Sequence, residues 1–323
     1  MPSDSAIHAL AGAAGGIVAM SATYPLIFLS TRAAVETKKE QKTTFEAVRD
    51  ILKREGFMGL YSGLNSSLLG IAVTNGVYYY FYEGSRDLIL KARTGSKGLS
   101  ALESMLAGLI AGSATTVISN PIWVVQTTQA VYSMSKTPTA PGPDASAPAP
   151  APRPGILQTI QHILAQDGLT AFWRGIGPAL VLVVNPIIQY TVFEQLKNFL
   201  VKGRTERLRA GGAKGAVAVL SDLDYFLLGA LSKLVATGST YPYIVVKNRL
   251  QAGHAGAQHY KSPLDGVKTI VKEEGVEGLY KGVGSKLTQS VLTAAILFAG
   301  QKRVYEIVKK LVLPSNSSIS RTR

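Results

Sequence analysis

Residues 21–32 read SATYPLIFLSTR, residues 117–128 VISNPIWVVQTT and residues 238–249 GSTYPYIVVKNR. In each, small and apolar residues run into a proline (Pro25, Pro121, Pro242), and each is followed by an acidic-glycine element: EGFMGLYSG from Glu55, DGLTAFWRG from Asp167, EGVEGLYKG from Glu274. The separations are 30 residues from Pro25 to Glu55, 46 from Pro121 to Asp167 and 32 from Pro242 to Glu274. The middle copy is long by roughly the length of a Pro- and Ala-rich segment, 133–154, which cannot bury enough apolar surface to fold and reads as a disordered insert. Self-similarity at a shared spacing marks a repeat architecture. Glycines recur 13 residues before each proline (Gly12, Gly108, Gly229), with Gly16 and Gly112 four residues on, where small side chains let helices approach closely; the third copy has Lys233 in that last place.

Working outward, a charge near the middle of a bilayer costs about 2.5 to 3.5 kcal/mol even on the gentler insertion scale, so long uncharged stretches mark spans. Residues 9–31, 56–82, 104–135 and 175–193 hold no Asp, Glu, Lys or Arg. Residues 225–246 are interrupted only by Lys233, and 287–301 are apolar but short. Four uncharged runs of this length do not suit a soluble all-α protein. Between proline and acidic-glycine element lie amphipathic stretches such as TTFEAVRDILKREG and SPLDGVKTIVKEEG, expected to lie along the membrane surface. The fold expected is an all-α membrane protein of six transmembrane helices in three pseudo-threefold repeats, each a helix, a surface helix and a helix. The repeats fall at 1–95, 96–205 (with the insert) and 206–313, leaving a tail at 314–323.

Of 323 residues 46% are hydrophobic and 17% charged, and 34 Lys plus Arg against 20 Asp plus Glu leave a net charge of +14, which favours anionic partners. Without cysteine there is no disulfide framework or thiolate metal site. No nucleophile with base and orienter, phosphate-loop glycine motif or metal-ligand spacing is found, so an enzyme, a metal and a cofactor are not expected. The basic cluster KGRTERLRAGGAK, 202–214, suits lipid headgroups or a targeting receptor better than nucleic acid. The N-terminus has neither the basic region of a secretory signal nor the Arg-rich pattern of a transit peptide, so targeting is expected within the chain.

The triple pattern resembles the mitochondrial carrier family (solute carrier family 25), whose repeat motif is Pro-x-acidic-x-x-basic-x-basic followed by acidic-Gly-x-x-x-x-aromatic-basic-Gly. The second half fits in copies two and three and, with Ser62 in the basic place, nearly so in copy one. The first half is eroded: two after Pro stand Ile27, Trp123 and Ile244, and five after Pro stand Ser30, Gln126 and Lys247. The resemblance makes these the matrix-side gate, a ring of ion pairs in the family; here it must close by apolar contact around Trp123 and hydrogen bonds from Ser30 and Gln126. The bracing glutamine nine after Pro survives as Gln251. The family's aromatic-acidic-x-x-basic motif on the even helices, the cytosolic-side gate, falls on Tyr82, Glu83 and Arg86, then on Phe193, Glu194 and Lys197. In copy three, spacing from Gly282 puts it on Gln301 and Lys302 rather than the later string YEIVK. The surviving cross-helix pair expected is Glu83 with Lys197.

The family's substrate contacts, three turns before that motif, fall on Gly70 and Ile71, Val181 and Leu182, and Gln289 and Ser290. The cation for a substrate anion is expected at Lys233, an ionisable residue inside a span, with Lys247 second. Asn75, Tyr79, Asn185, Gln189 and Tyr190 offer rings and amides suited to a planar heterocycle. The strings GVYYYFYEGSR, VNPIIQYTVFE, GALSKLVAT and VLTAAILF resemble the peroxisomal branch of the family, fungal peroxisomal membrane carriers included, which exchanges ATP, AMP, NAD or CoA. The resemblance thus implies an exchanger of a nucleotide or nucleotide-derived cofactor, acting as a monomer in the peroxisomal membrane by alternating access. Alternatives are a carrier of folate- or FAD-like cofactors in a plastid or the mitochondrial inner membrane, and a carrier-fold scaffold that no longer transports.

Overall fold

A computed structural model describes residues 4–36, 44–92, 98–132, 154–212, 215, 217–253, 260 and 262–296. The helices are α1 (Asp4–Val35), α2 (Thr44–Glu55), α3 (Leu64–Lys91), α4 (Ala101–Val131), α5 (Ile156–Asp167), α6 (Ile176–Val181), α7 (Asn185–Ala210), α8 (Asp222–Ala252), α9 (Pro263–Glu274) and α10 (283–296), with no strand among the described residues. The repeat is visible as α1-α2-α3, α4-α5-α6/α7 and α8-α9-α10. The surface helices α2, α5 and α9 are each 12 residues long and bury a stripe at helical spacing: Ile51 with Val48, Thr159 with Ile163, and Gly266 with Ile270. Each ends at a glycine with positive φ (Gly56, Gly168, Gly275) and passes into a 3-10 turn: Phe57–Tyr61, Leu169–Trp173, Val276–Tyr280. The insert at 133–154, apart from Pro154, whose carbonyl accepts from Gln129 (3.1 Å), and the tail at 314–323 lie outside the described residues.

Two constructions repeat around the threefold. The residue before each proline ties its helix to the end of its own acidic-glycine element. Tyr24 donates to the Ser62 carbonyl (2.9 Å), Asn120 to those of Phe172 (2.9 Å) and Arg174 (3.0 Å), and Tyr241 to that of Lys281 (3.0 Å). The next glycine (Gly63, Gly175, Gly282; φ 86°, 72° and 78°) then presses on the following repeat, where a Cβ would meet the carbonyls of Gln126, Lys247 and Ser30 at 3.1, 3.0 and 2.6 Å. Only glycine fits, both for its left-handed backbone and for this contact. Each repeat therefore leans on the next, and the ring closes from the third onto the first.

Ion pairs follow the same plan with substitutions. Glu55 pairs with Arg32 (2.8 Å), Asp167 with Arg174 (2.8 Å), and Glu274 with both Arg249 and Lys281. Arg32 also donates to the Ala130 carbonyl (2.7 Å) and Arg249 to that of Ala34 (2.9 Å), each reaching into the next repeat. The second repeat has Thr128 in the arginine's place, and there Arg174, from the end of the acidic-glycine element itself, pairs with the acid.

The uncharged stretches map imperfectly onto helices. Residues 56–82 are not one helix: the acidic-glycine turn takes the first eight, and α3 starts at Leu64 and runs on past Glu83 and Arg86. Residues 175–193 are broken by a 3-10 turn at Leu182–Val184, just before Pro186, which lacks the N–H a continuous helix needs. Among the described residues Gly15–Val35, Ala101–Val131 and Leu169–Ala210 are long and apolar enough to span. Helices α3 and α8 are long enough, at 28 and 31 residues, but carry Asn, Ser, Thr and Tyr along their length. Close glycine contact holds for Gly112, where a Cβ would lie 2.6 Å from Val183, and more loosely for Gly108 beside Tyr78; nothing lies within 4 Å of such a Cβ at Gly16 or Gly229.

Candidate functional site

The acidic-glycine end of the bundle is floored by the residues after the prolines. Ile27 and Ile244 pack into the apolar clusters around Tyr24 and Tyr241. Trp123 reaches across the interior: its ring packs on Gly70, its Nε1 donates to Thr74 Oγ1 (3.3 Å), and the Lys247 ammonium lies 5.8 Å from the ring centroid. Gln126 donates across to Tyr24 (3.4 Å), whereas the Ser30 hydroxyl turns back to the Ile27 carbonyl (2.8 Å), so the cross-helix bond expected from Ser30 is not made. A serine is short enough to be captured by its own helix turn. Gln251 is buried, donating to Asn120 Oδ1 (3.1 Å) and accepting from Thr127 (3.3 Å).

From this floor a cavity of about 790 Å3 extends between α3, α4, the broken fourth span and α8, reaching Leu99 and Ala101 at the other end. Thr74, Tyr78 and Tyr82 line it from α3, with the rings of Tyr78 and Tyr82 stacked at 5.8 Å and 15°. Tyr190, Trp123 and Lys247 face it from the other walls. Thr115 lines it too, is only 4% exposed, and its hydroxyl has no hydrogen-bond partner among the described residues. A buried hydroxyl left unpaired is costly, and one on a cavity wall is free to bond what enters.

The sequence-predicted contacts divide. Asn185 and Lys233 come together: Lys233 Nζ donates to Asn185 Oδ1 (3.4 Å), while Asn185 Nδ2 donates to Thr240 Oγ1 (2.8 Å) and the Ala236 carbonyl (3.0 Å). Tyr190 lines the cavity; Gln189, half-buried, does not. Asn75 and Tyr79 also lie off the lining, with Tyr79 68% exposed. The lining face of α3 is Thr74, Tyr78 and Tyr82, and a shift of one residue turns a side chain by about 100° around the helix. Gln289 donates to Thr293 (2.9 Å), which meets Thr23 of α1 (3.0 Å), and Ser290 bonds the Lys286 carbonyl (3.0 Å). Lys286 and Thr115 are absent from the sequence expectation. Lys286 lies within electrostatic reach of Lys233 and Lys247. It immediately precedes the uncharged stretch 287–301, so a search for charge-free runs steps over it.

At the opposite end the expected pair of Glu83 with Lys197 is not made. Arg86 bonds Glu83 (3.1 Å) and Lys197 bonds Glu194 (2.7 Å), each within its own helix, because an i,i+3 neighbour is in reach without the helices meeting. Phe193 stacks on Tyr225 (6.4 Å) and lies under the Lys197 ammonium (5.9 Å). Gln301 and Lys302 lie outside the described residues.

A family model described as Mitochondrial carrier protein matches the chain three times, over residues 2–93, 97–204 and 208–316. The chain belongs to the mitochondrial carrier family. Over 338 aligned residues this carrier is 38% identical to the peroxisomal nicotinamide adenine dinucleotide carrier of Arabidopsis thaliana, with 98% of the chain and 100% of that protein covered. It is 35% identical to peroxisomal membrane protein PMP47B of Candida boidinii (91% and 84% covered) and 32% identical to peroxisomal membrane protein PMP34 of Mus musculus (91% of each). The carrier is thus a multi-pass membrane protein of three repeats.

Proposed function

We propose that this carrier exchanges adenine-containing compounds (ATP and AMP, NAD or CoA) across the peroxisomal membrane as a monomer, alternating between states open to one side at a time. The observation that carries the reading is the cavity that places stacked tyrosine rings, and a hydroxyl without a partner among the described residues, on one path with a half-buried lysine. Rings suit a purine face, Thr115 suits a base or ribose edge, and Lys247 with Lys233 suits phosphate. The floor around Trp123 and Lys247 is the closed gate, and the helix ends bearing Glu83 and Glu194, with no ion pair between them, belong to the open side. Substrate drives the cycle by binding the occluded state more tightly than either open one, since a ligand shifts an equilibrium only by its differential affinity. The names borne by the relatives support both the substrate class and the peroxisomal address. The test is purified carrier in liposomes preloaded with AMP or NAD. Uptake of labelled ATP, NAD or CoA is expected, and failure with every adenine compound overturns the reading in favour of a scaffold.

A further inference from the structure

At the acidic-glycine end of the bundle, buried side chains from all three repeats form one neutral chain of hydrogen bonds. Gln126 of α4 donates from Nε2 to the Tyr24 hydroxyl of α1 (3.4 Å), and Tyr24 donates onward to the Ser62 carbonyl (2.9 Å). The next residue of α4, Thr127, has two acceptors for its single proton: Gln251 Oε1 on α8 (3.3 Å) and Gln126 Oε1 beside it (3.4 Å). Gln251 returns a bond from Nε2 to Asn120 Oδ1 on α4 (3.1 Å), while the Asn120 amide donates to the Phe172 and Arg174 carbonyls of its own repeat. Tyr24, Asn120, Gln126, Thr127 and Gln251 are each no more than 5% exposed. Beyond them Val35, Val131 and Ala252, one from each repeat and each ten residues after its proline, pack together as an apolar plug. A buried donor that loses its partner is costly, so a contact that opens and closes works best when its donors keep a second partner. When these repeats part, Thr127 keeps Gln126 Oε1, Asn120 keeps two carbonyls of its own repeat and Tyr24 keeps Ser62. Only the two glutamine amides lose a partner, and they face the water that enters the opened end.

We infer that Thr127, at a position the repeat motif leaves free, is a positioning residue for the closed gate. Its proton, shared between Gln126 and Gln251, latches the second repeat to the third and passes wholly to Gln126 when the gate opens. The inference rests on the alternating-access reading and adds a residue to it. The chain has no cysteine, so Val131→Cys, in the plug and 1% exposed, supplies a single reporter thiol. Its labelling by a maleimide, in the purified full-length carrier in lipid nanodiscs, reads how often the repeats part. Thr127→Val keeps the shape and removes the hydroxyl; it should quicken labelling roughly twofold to tenfold, the weight of one neutral hydrogen bond. Thr127→Ser should label near the reporter's own rate. Gln251→Leu removes the acceptor and serves where Thr127→Val does not fold; it should also quicken labelling, and adding Thr127→Val to it should change nothing more. A control thiol at Ile163→Cys, buried within the second repeat, should not respond to either substitution. Unchanged labelling in Thr127→Val or Gln251→Leu, Thr127→Ser as fast as Thr127→Val, effects that multiply in the double variant, or equal quickening at Ile163→Cys overturns the inference. Nucleotide exchange in liposomes with labelling indifferent to Thr127 would sink the latch and leave the carrier reading intact. Thr127-dependent labelling without exchange of any adenine compound would do the reverse.

Discussion

The Lys247 ammonium on α8 faces the Trp123 ring on α4 at 5.8 Å, at positions where an acid and a base would form an ion pair in an unaltered repeat. A cation over an aromatic face is worth about 0.5 to 2 kcal/mol depending on desolvation, less than a buried ion pair costs to break, so the gate proposed above would be cheaper to open. Trp123→Ala should therefore raise leak of preloaded nucleotide from liposomes several-fold in the absence of counter-substrate. Trp123→Phe, which keeps a ring, should leak less. A Trp123→Ala carrier as tight as the wild type would remove the pair from the gate.

Gly282 combines φ 78° with a Cβ position 2.6 Å from the Ser30 carbonyl, while nothing lies within 4 Å of a Cβ on Gly284, inside α10. The left-handed backbone alone costs a side chain about 1 to 2 kcal/mol, and the contact adds to it. Gly282→Ala should lower the unfolding temperature clearly, and Gly284→Ala should leave it unchanged or raise it, since alanine in a helix gains roughly 0.5 to 1 kcal/mol over glycine. Thermal unfolding in detergent or nanodiscs separates the two; a harmless Gly282→Ala would mean the ring of repeats does not depend on this contact.

Arg249 has a fully buried side chain and Glu274 one that is 6% exposed. Removing one member of a buried pair costs about 3 to 5 kcal/mol, so Arg249→Ala should destabilise the carrier more than Arg32→Ala, whose pair with Glu55 is less enclosed. Burial works against the charge on Glu274, but the hydrogen bonds from Arg249 and Lys281 outweigh it and hold the carboxyl below its ordinary value. A lowered folded-state pKa gives stability that is present above the unfolded value, near pH 4.3, and is lost as pH falls toward the folded one. The wild type should therefore lose unfolding temperature on acidification below about pH 4.5. Glu274→Gln should start lower and show a shallower acid slope, measured by scanning fluorimetry from pH 3 to 7; identical slopes would assign the acid response to other carboxylates.

The repeat was legible because its signals are local and strong: Pro25, Pro121 and Pro242, with the glycines after each acid, fix both the helix junctions and the contacts between repeats. Pairing Asn185 with Lys233 was not predicted, yet both residues were picked out, since each is a polar group inside an apolar run. What the sequence hid was rotation. Thr74 and Tyr78 line the cavity while Asn75 and Tyr79 do not, and one residue of phase on a helix with polar side chains all round leaves no hydrophobic stripe to set it. The Glu83 and Lys197 pairing failed for a different reason, as motif position says which helices can meet but not whether they have closed. Thr115 was missed because a threonine inside an apolar run carries no signal in sequence that the fold would leave its hydroxyl without a partner among the described residues.

Thr115 offers the sharpest separation between fold and function. Its hydroxyl is buried on the cavity wall without a partner among the described residues, so the fold bears the desolvation of that oxygen with no hydrogen bond in return. Thr115→Val keeps the shape and removes the hydroxyl; the empty carrier should be as stable as the wild type or slightly more so. A bound substrate that bonds Thr115 would lose about 0.5 to 1.5 kcal/mol, which is roughly a twofold to tenfold rise in KM for exchange. Stability and transport should thus move apart in one variant, read by unfolding temperature without substrate and by uptake kinetics in liposomes. A valine carrier with unchanged KM would show that substrate does not reach this wall, and one that unfolds readily would show that the hydroxyl serves the fold.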